Sequence, residues 1–140
     1  MKLQVNTMLA LCSVMEFAAD PQRHIPAAEI AEKYGVSAHH LAKVLAELTR
    51  AGVVESVRGV GGGYRFAANA RRLTLMDLIS LFEDVATTHR REGDEGTPVD
   101  RAIGAILGEI DQMARATFSS ITIATMLQLV ERQQHRGRRG

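Results

Sequence analysis

Apolar residues recur at helical spacing along most of the chain. Met8, Leu11, Cys12, Met15 and Ala19 mark one stripe of a segment that is apolar almost all round, and Asp20-Pro21 ends it. The pattern predicts a buried first helix over 8–19. Ala27, Ile30, Ala31 and Tyr34 form a second, shorter stripe that starts behind Pro26 and closes at Gly35, the residue type suited to a left-handed helix end. Only Gly35, Val36 and Ser37 separate it from a third stripe. There Leu41, Val44, Leu45 and Leu48 recur at i, i+3, i+4 and i+7, with Ser37 placed as N-cap and Gly52 just past the end. Helix, tight glycine-containing turn and helix is the pattern of a helix-turn-helix.

The period then changes. Val53 to Arg58 and Tyr64 to Ala67 are short runs rich in β-branched and aromatic residues, joined by Gly59-Val60-Gly61-Gly62-Gly63; they predict a hairpin, a wing, directly behind the third helix. Thr74 with Asp77 predicts a capping box for a helix carrying Leu75, Leu78, Ile79 and Phe82. The polar, aperiodic stretch 87–98 reads as loop. From Val99 to Phe118, Ile103, Ile106, Leu107, Ile110, Met113 and Ala114 lie on one side of a helix too long for so small a domain to cover, which predicts a partner helix. The expected fold is therefore mainly α with a small β-hairpin wing. It comprises a winged helix-turn-helix domain at 1–85, a loop at 86–98, a dimerisation helix at 99–118, a short helix at 119–132 and a basic disordered tail at 133–140.

Charge sharpens this picture. The net charge is only +1, but residues 1–72 carry nine Lys/Arg against six Asp/Glu, residues 73–131 four against ten, and residues 132–140 four Arg. The N-terminal half is the side that would meet an anionic partner. No apolar run is long enough for a membrane span and the N-terminus has no signal-peptide pattern, so a cytoplasmic protein without a membrane partner is expected. With Cys12 as the single cysteine, no multi-cysteine metal site can form within one chain.

A helix-turn-helix reads the major groove with the N-terminal residues of its second helix. Ser37, His39, His40 and Lys43 occupy those places. Gly59, Gly62 and Gly63 allow a hairpin tip to approach a sugar-phosphate backbone, Arg58 and Arg65 bring charge to that tip, and Tyr64 lies beside it. A nucleotide-binding loop would instead need a helix and a Lys-Ser/Thr pair after the glycines, where Tyr64-Arg65-Phe66 follows. Cys12 offers a redox switch or an inert small apolar residue. His89 with Glu92, Asp94 and Glu95 offers a loop metal site, although acidic loops of this composition are usually solvated, and no metal is expected. The methionines at 8, 15, 113 and 126 read as core gap fillers rather than the lining of a cofactor pocket, the alternative being a groove between the first helix and the dimer helix. No pairing of nucleophile, base or carboxylates has catalytic spacing, so an enzyme is not expected.

Ala28-Glu29-Ile30-Ala31-Glu32, Val36-Ser37, Leu41, Ala51-Gly52-Val53-Val54 and above all Ser56-Val57-Arg58-Gly59-Val60-Gly61-Gly62-Gly63-Tyr64 resemble the Rrf-type family of bacterial regulators, which includes IscR, NsrR, RirA and CymR. The likeness spans about 1–130. It implies a homodimer joined by the 99–118 helix that binds double-stranded DNA at a palindromic operator, usually as a repressor. Cluster-binding members carry three closely spaced cysteines before the long helix; this chain has none there, so no iron–sulfur cofactor is expected and the signal falls to an unidentified small-molecule effector, to Cys12 or to neither. The family's wing-tip Pro is Val60 here, and its basic-aromatic pair near the start of the first helix is Met8-Leu9. An alternative is a protein-interaction module on the same fold that no longer reads DNA.

Overall fold

Among the described residues, six helices and one hairpin follow in order: α1 (Val5–Ala19), α2 (Ala27–Tyr34), α3 (Ala38–Arg50), β1 (Val54–Val57), β2 (Gly63–Phe66), α4 (Leu75–Phe82), α5 (Pro98–Ser120) and α6 (Ile123–Arg139). They belong to a computed structural model that describes residues 3–83 and 96–139. The strands pair antiparallel in the register Val54↔Phe66, Glu55↔Arg65, Ser56↔Tyr64 and Val57↔Gly63.

The turns follow from local chemistry. Gly35 takes φ +64°, its N–H reaches the Ala31 and Glu32 carbonyls, and the Val36 N–H reaches Ala31 O at 3.0 Å, the double closure of a Schellman end. Ser37 then caps α3 by accepting the His40 N–H at 3.0 Å. Thr74 and Asp77 form the expected capping box on α4. Thr97 and Asp100 form a second one on α5, with Pro98 at its first position.

The core gathers around α1 and α3. Ala10, Val14 and Phe17 meet Leu41, Val44, Leu45 and Leu48, with Leu78 and Ile79 from α4, Val54 and Phe66 from the wing and Ile123 from α6 closing the sides. The expected stripe on α1 is not the one that enters the core. Ala10, Ser13, Val14 and Phe17 are buried, whereas Met8 is exposed and Leu11, Cys12 and Met15 are only half-buried on another side. A helix apolar all round carries no preferred face in its pattern, so packing partners choose it.

Two further features escaped the pattern. Ile25 exchanges both backbone hydrogen bonds with Tyr64, each 2.9 Å, and so adds a third extended segment to the wing. Glu16 Oε1 accepts from Lys33 Nζ and Tyr34 Oη, both at 2.6 Å, and pins the end of α2 to α1. Burial alone would raise the Glu16 carboxyl, but the bonds from Lys33 and Tyr34 and the lysine's charge outweigh it and hold the group below the usual glutamate range.

The C-terminal segments correct the expectation. The short helix at 119–132 and the disordered tail at 133–140 are one helix as far as Arg139. Gln, Glu and Arg are strong helix formers, and arginines near a helix C-terminus complement its negative dipole end, so the pattern breaks down in hydrophobicity before the helix does. The helix Val99–Phe118 extends to Pro98–Ser120, about 34 Å long.

Candidate nucleic-acid interface

α3 has two unlike sides. Leu41, Val44, Leu45 and Leu48 are buried, while Ala38, His39, Ala42, Lys43 and Ala46 are exposed. The alanines at 38, 42 and 46 stack along the outer face and keep it narrow, so a helix with this face can sit deep in a major groove while His39 and Lys43 reach outward. Sequence reading missed Ala42 and Ala46; their i, i+4, i+8 spacing between the buried leucines was the available signal.

The other predicted residues of this helix divide. Ser37 uses its hydroxyl oxygen as the cap acceptor for the His40 N–H, which leaves its O–H proton to donate elsewhere. His40 is half-buried, and its Nε2 is closed off from solvent without a hydrogen-bond partner among the described residues. That atom does not face outward as the sequence suggested.

At the wing, Arg58 and Val60 are exposed and flank Gly59 at φ +107°. The Gly62 N–H bonds Gly59 O at 3.0 Å, closing a turn whose third residue, Gly61, has φ +78°; a side chain there would be strained. Gly62 and Gly63 serve the chain itself. A Cβ on Gly62 would lie 2.4 Å from Val57 O, and one on Gly63 would lie 2.5 Å from Ile25 O.

Two predicted wing contacts move away from the tip. Arg65 stands opposite Glu55 in the strand ladder and forms an ion pair with it, because directly opposed residues of opposite charge share one sheet face. Tyr64 is half-buried with its ring 6.3 Å from that of Phe17. Of the three cations predicted for the interface, Lys43 on the helix and Arg58 at the tip are exposed and Arg65 is half-buried.

Of the expected dimerisation residues, Ile103, Ile106, Leu107, Ile110 and Met113 are between 44% and 69% exposed, and Ala114 is half-buried. No residue of α5 is buried. A row of large apolar side chains this open on one helix is the mark of an interaction face.

Cys12 lies half-buried in the side of α1 rather than in the core; burial first, then the charge of Glu16, pushes its thiol pKa up. Such a thiol is a poor nucleophile. The loop metal site at His89, Glu92, Asp94 and Glu95 lies outside the described residues.

A family model described as "Rrf2: Iron-dependent Transcriptional regulator" matches residues 3–129. The chain is 44% identical over 140 residues to a protein of Rhodopseudomonas palustris named as an HTH-type transcriptional regulator, BadM, covering all of this chain and 90% of that one. The HTH-type transcriptional regulator IscR of Vibrio campbellii is 32% identical over 94 residues, 66% of this chain and 56% of that protein. These relatives are named as regulators, not enzymes. Among solved structures, T. potens IscR superposes with a TM-score of 0.77 at 24% identity over 96% of this chain and 91% of that one. Staphylococcus aureus CymR in its oxidised form gives 0.75 at 24% over 91% and 96%. At this identity the superpositions establish the winged-helix fold.

Proposed function

Because the chain belongs to the Rrf2 family of DNA-binding transcriptional regulators, we propose that it works as a homodimeric repressor on a palindromic operator. The observation that carries this reading is the pairing of an outward α3 face, narrow and bearing His39 and Lys43, with an exposed Arg58 at a wing tip. Helix and tip together match a major-groove reader flanked by a minor-groove or backbone contact. The open apolar row on α5 supports a second copy as the partner. A two-fold pair would set two α3 helices about 34 Å apart, one turn of duplex.

His39 and the Ser37 hydroxyl are assigned to base or phosphate contact, Lys43 to phosphate, and Arg58 with Gly59 to the tip contact. Gly62, Gly63, Tyr64, Arg65 and His40 are assigned to holding the wing and helix in shape. As part of this reading the protein acts in the cytoplasm, where its operator would be. Among the described residues no helix is long and apolar enough to cross a membrane.

The family description names iron, and the donor set does not fit a cysteine-held cluster. Cys12 is the chain's single cysteine, with its thiol kept protonated by burial, and no group of three His, Cys, Asp or Glu gathers among the described residues. We assign the signal to something other than such a cluster.

Genomic footprinting with purified protein tests the reading. Two symmetric half-sites about ten base pairs apart are expected, with transcription from the bound promoter rising when the gene is deleted. Arg58→Ala should weaken operator binding about tenfold and flatten the salt dependence by about one phosphate, with the dimer intact. Unchanged affinity and slope would remove Arg58 from the interface.

A further inference from the structure

The α1 stripe that stays out of the core faces a groove. Met8, Leu11 and Met15 look across it to Met126, Leu127 and Val130 of α6, enclosing about 370 Å³. That volume is within the range of small-molecule sites, roughly 300–1,000 Å³. Three of these six side chains are thioethers, unbranched and readily re-packed, which suits walls that adjust to an occupant.

Where the groove meets α2 its lining is polar. Glu16, Lys33 and Tyr34 form part of the wall, and Lys33 Nζ sits on Glu16 Oε1 and 5.8 Å from the centre of the Tyr34 ring. The wall therefore already holds an ammonium group against a carboxylate and an aromatic face. The two partners are unequally fixed. The Glu16 side chain is 27% exposed and that of Lys33 60%. Lys33 can swing into water at little loss, as exposed partners of ion pairs do, whereas Glu16 stays in the wall. Once Lys33 leaves, Glu16 keeps the neutral Tyr34 hydroxyl as a donor but loses the lysine's counter-charge, which an anionic head would not replace and a cationic head would.

We propose that this groove binds a small apolar molecule carrying one protonated amine, its hydrocarbon body among the methionines and its ammonium replacing that of Lys33 at Glu16. Occupancy then reaches DNA binding through α2. Lys33 and Tyr34 are its last two residues, and Gly35 to Ser37 connect them directly to the reading helix. Releasing Lys33 loosens the anchor that sets the helix-turn-helix angle. This second step rests on the DNA-reading assignment of α3; the binding step does not.

Cys12 lies in the groove wall and is the chain's single cysteine, so its labelling by N-ethylmaleimide reports occupancy. The full-length protein is labelled at mildly alkaline pH with n-octylammonium, and with octanoate and octanol as matched controls. Octylammonium should slow labelling several-fold, octanoate should not, and Glu16→Gln should weaken octylammonium protection about tenfold. Leu11→Trp, which fills the groove, should abolish it while thermal melting shows a folded protein. Equal or better protection by octanoate overturns the proposal, as does no protection by any probe. Cys12 already blocked in the ligand-free protein would show that a second protomer fills the groove, and would overturn it too. Operator affinity measured with and without octylammonium should shift several-fold; protection without a shift removes the coupling and leaves the site.

Discussion

Gly63 and Glu16 show how much a single position can carry. Gly63 lies so close to Ile25 that a Cβ would sit 2.5 Å from its carbonyl oxygen and 2.6 Å from its carbonyl carbon, both backbone atoms with little freedom to retreat. Gly63→Ala should therefore break the Ile25–Tyr64 bridge and cost on the order of 1–3 kcal/mol in urea unfolding; a loss within a few tenths would show that the bridge gives way freely. Glu16 yields a pH signature. Its folded carboxyl lies below the unfolded value, so its contribution is complete above the unfolded pKa and is lost as pH falls through the folded one. The stability gap between wild type and Glu16→Gln should be widest near neutrality and close below about pH 4.3. A gap that persists into acid would assign it to shape rather than charge. These roles were hidden in sequence because Ile25, Glu16, Lys33 and Tyr34 meet only after folding. A β-branched residue before Pro26 was the one local hint of the extended segment at Ile25.

The helices and the hairpin were largely legible, because caps and periodicity are local. Ser37, Gly35, Gly52 and the Thr74–Asp77 box stand where spacing put them. Ser37→Ala removes the acceptor for the His40 N–H and should cost about 1 kcal/mol. If α3 reads DNA, operator affinity should fall with it as the first turn frays; circular dichroism melts beside gel shifts would separate the two effects, and an unchanged melt would show the cap to be dispensable. The wing was legible as a hairpin but not in its detail. Arg65 was placed at the tip by its nearness in sequence, yet strand register sets it opposite Glu55. The end of α6 was misread for a related reason. Hydrophobic periodicity reports a face that packs, and residues 131–138 are exposed, so helix there is maintained by propensity without a stripe to reveal it.

At the scale of the molecule, the apolar row on α5 makes the prediction. If the proposed homodimer forms through this row, Ile106→Glu, which puts a charge at its middle, should give a monomer by analytical ultracentrifugation, with operator affinity falling roughly a hundredfold as two half-sites are no longer read together. A dimer that survives the substitution would place the interface elsewhere. The sequence alone determined the order of helices and hairpin, the helix-turn-helix, the caps of α2, α3 and α4 and an uncovered long helix, since each follows from spacing within a few residues. Tertiary structure decided what depends on residues far apart. It chose which side of the all-apolar α1 enters the core and tied Glu16 to α2. It drew Arg65 and Tyr64 away from the wing tip and left Met8, Leu11 and Met15 facing α6 across a groove. The physical reason is the same in each case: local pattern fixes conformation, whereas the partner of a side chain is set by what the folded chain brings within contact distance.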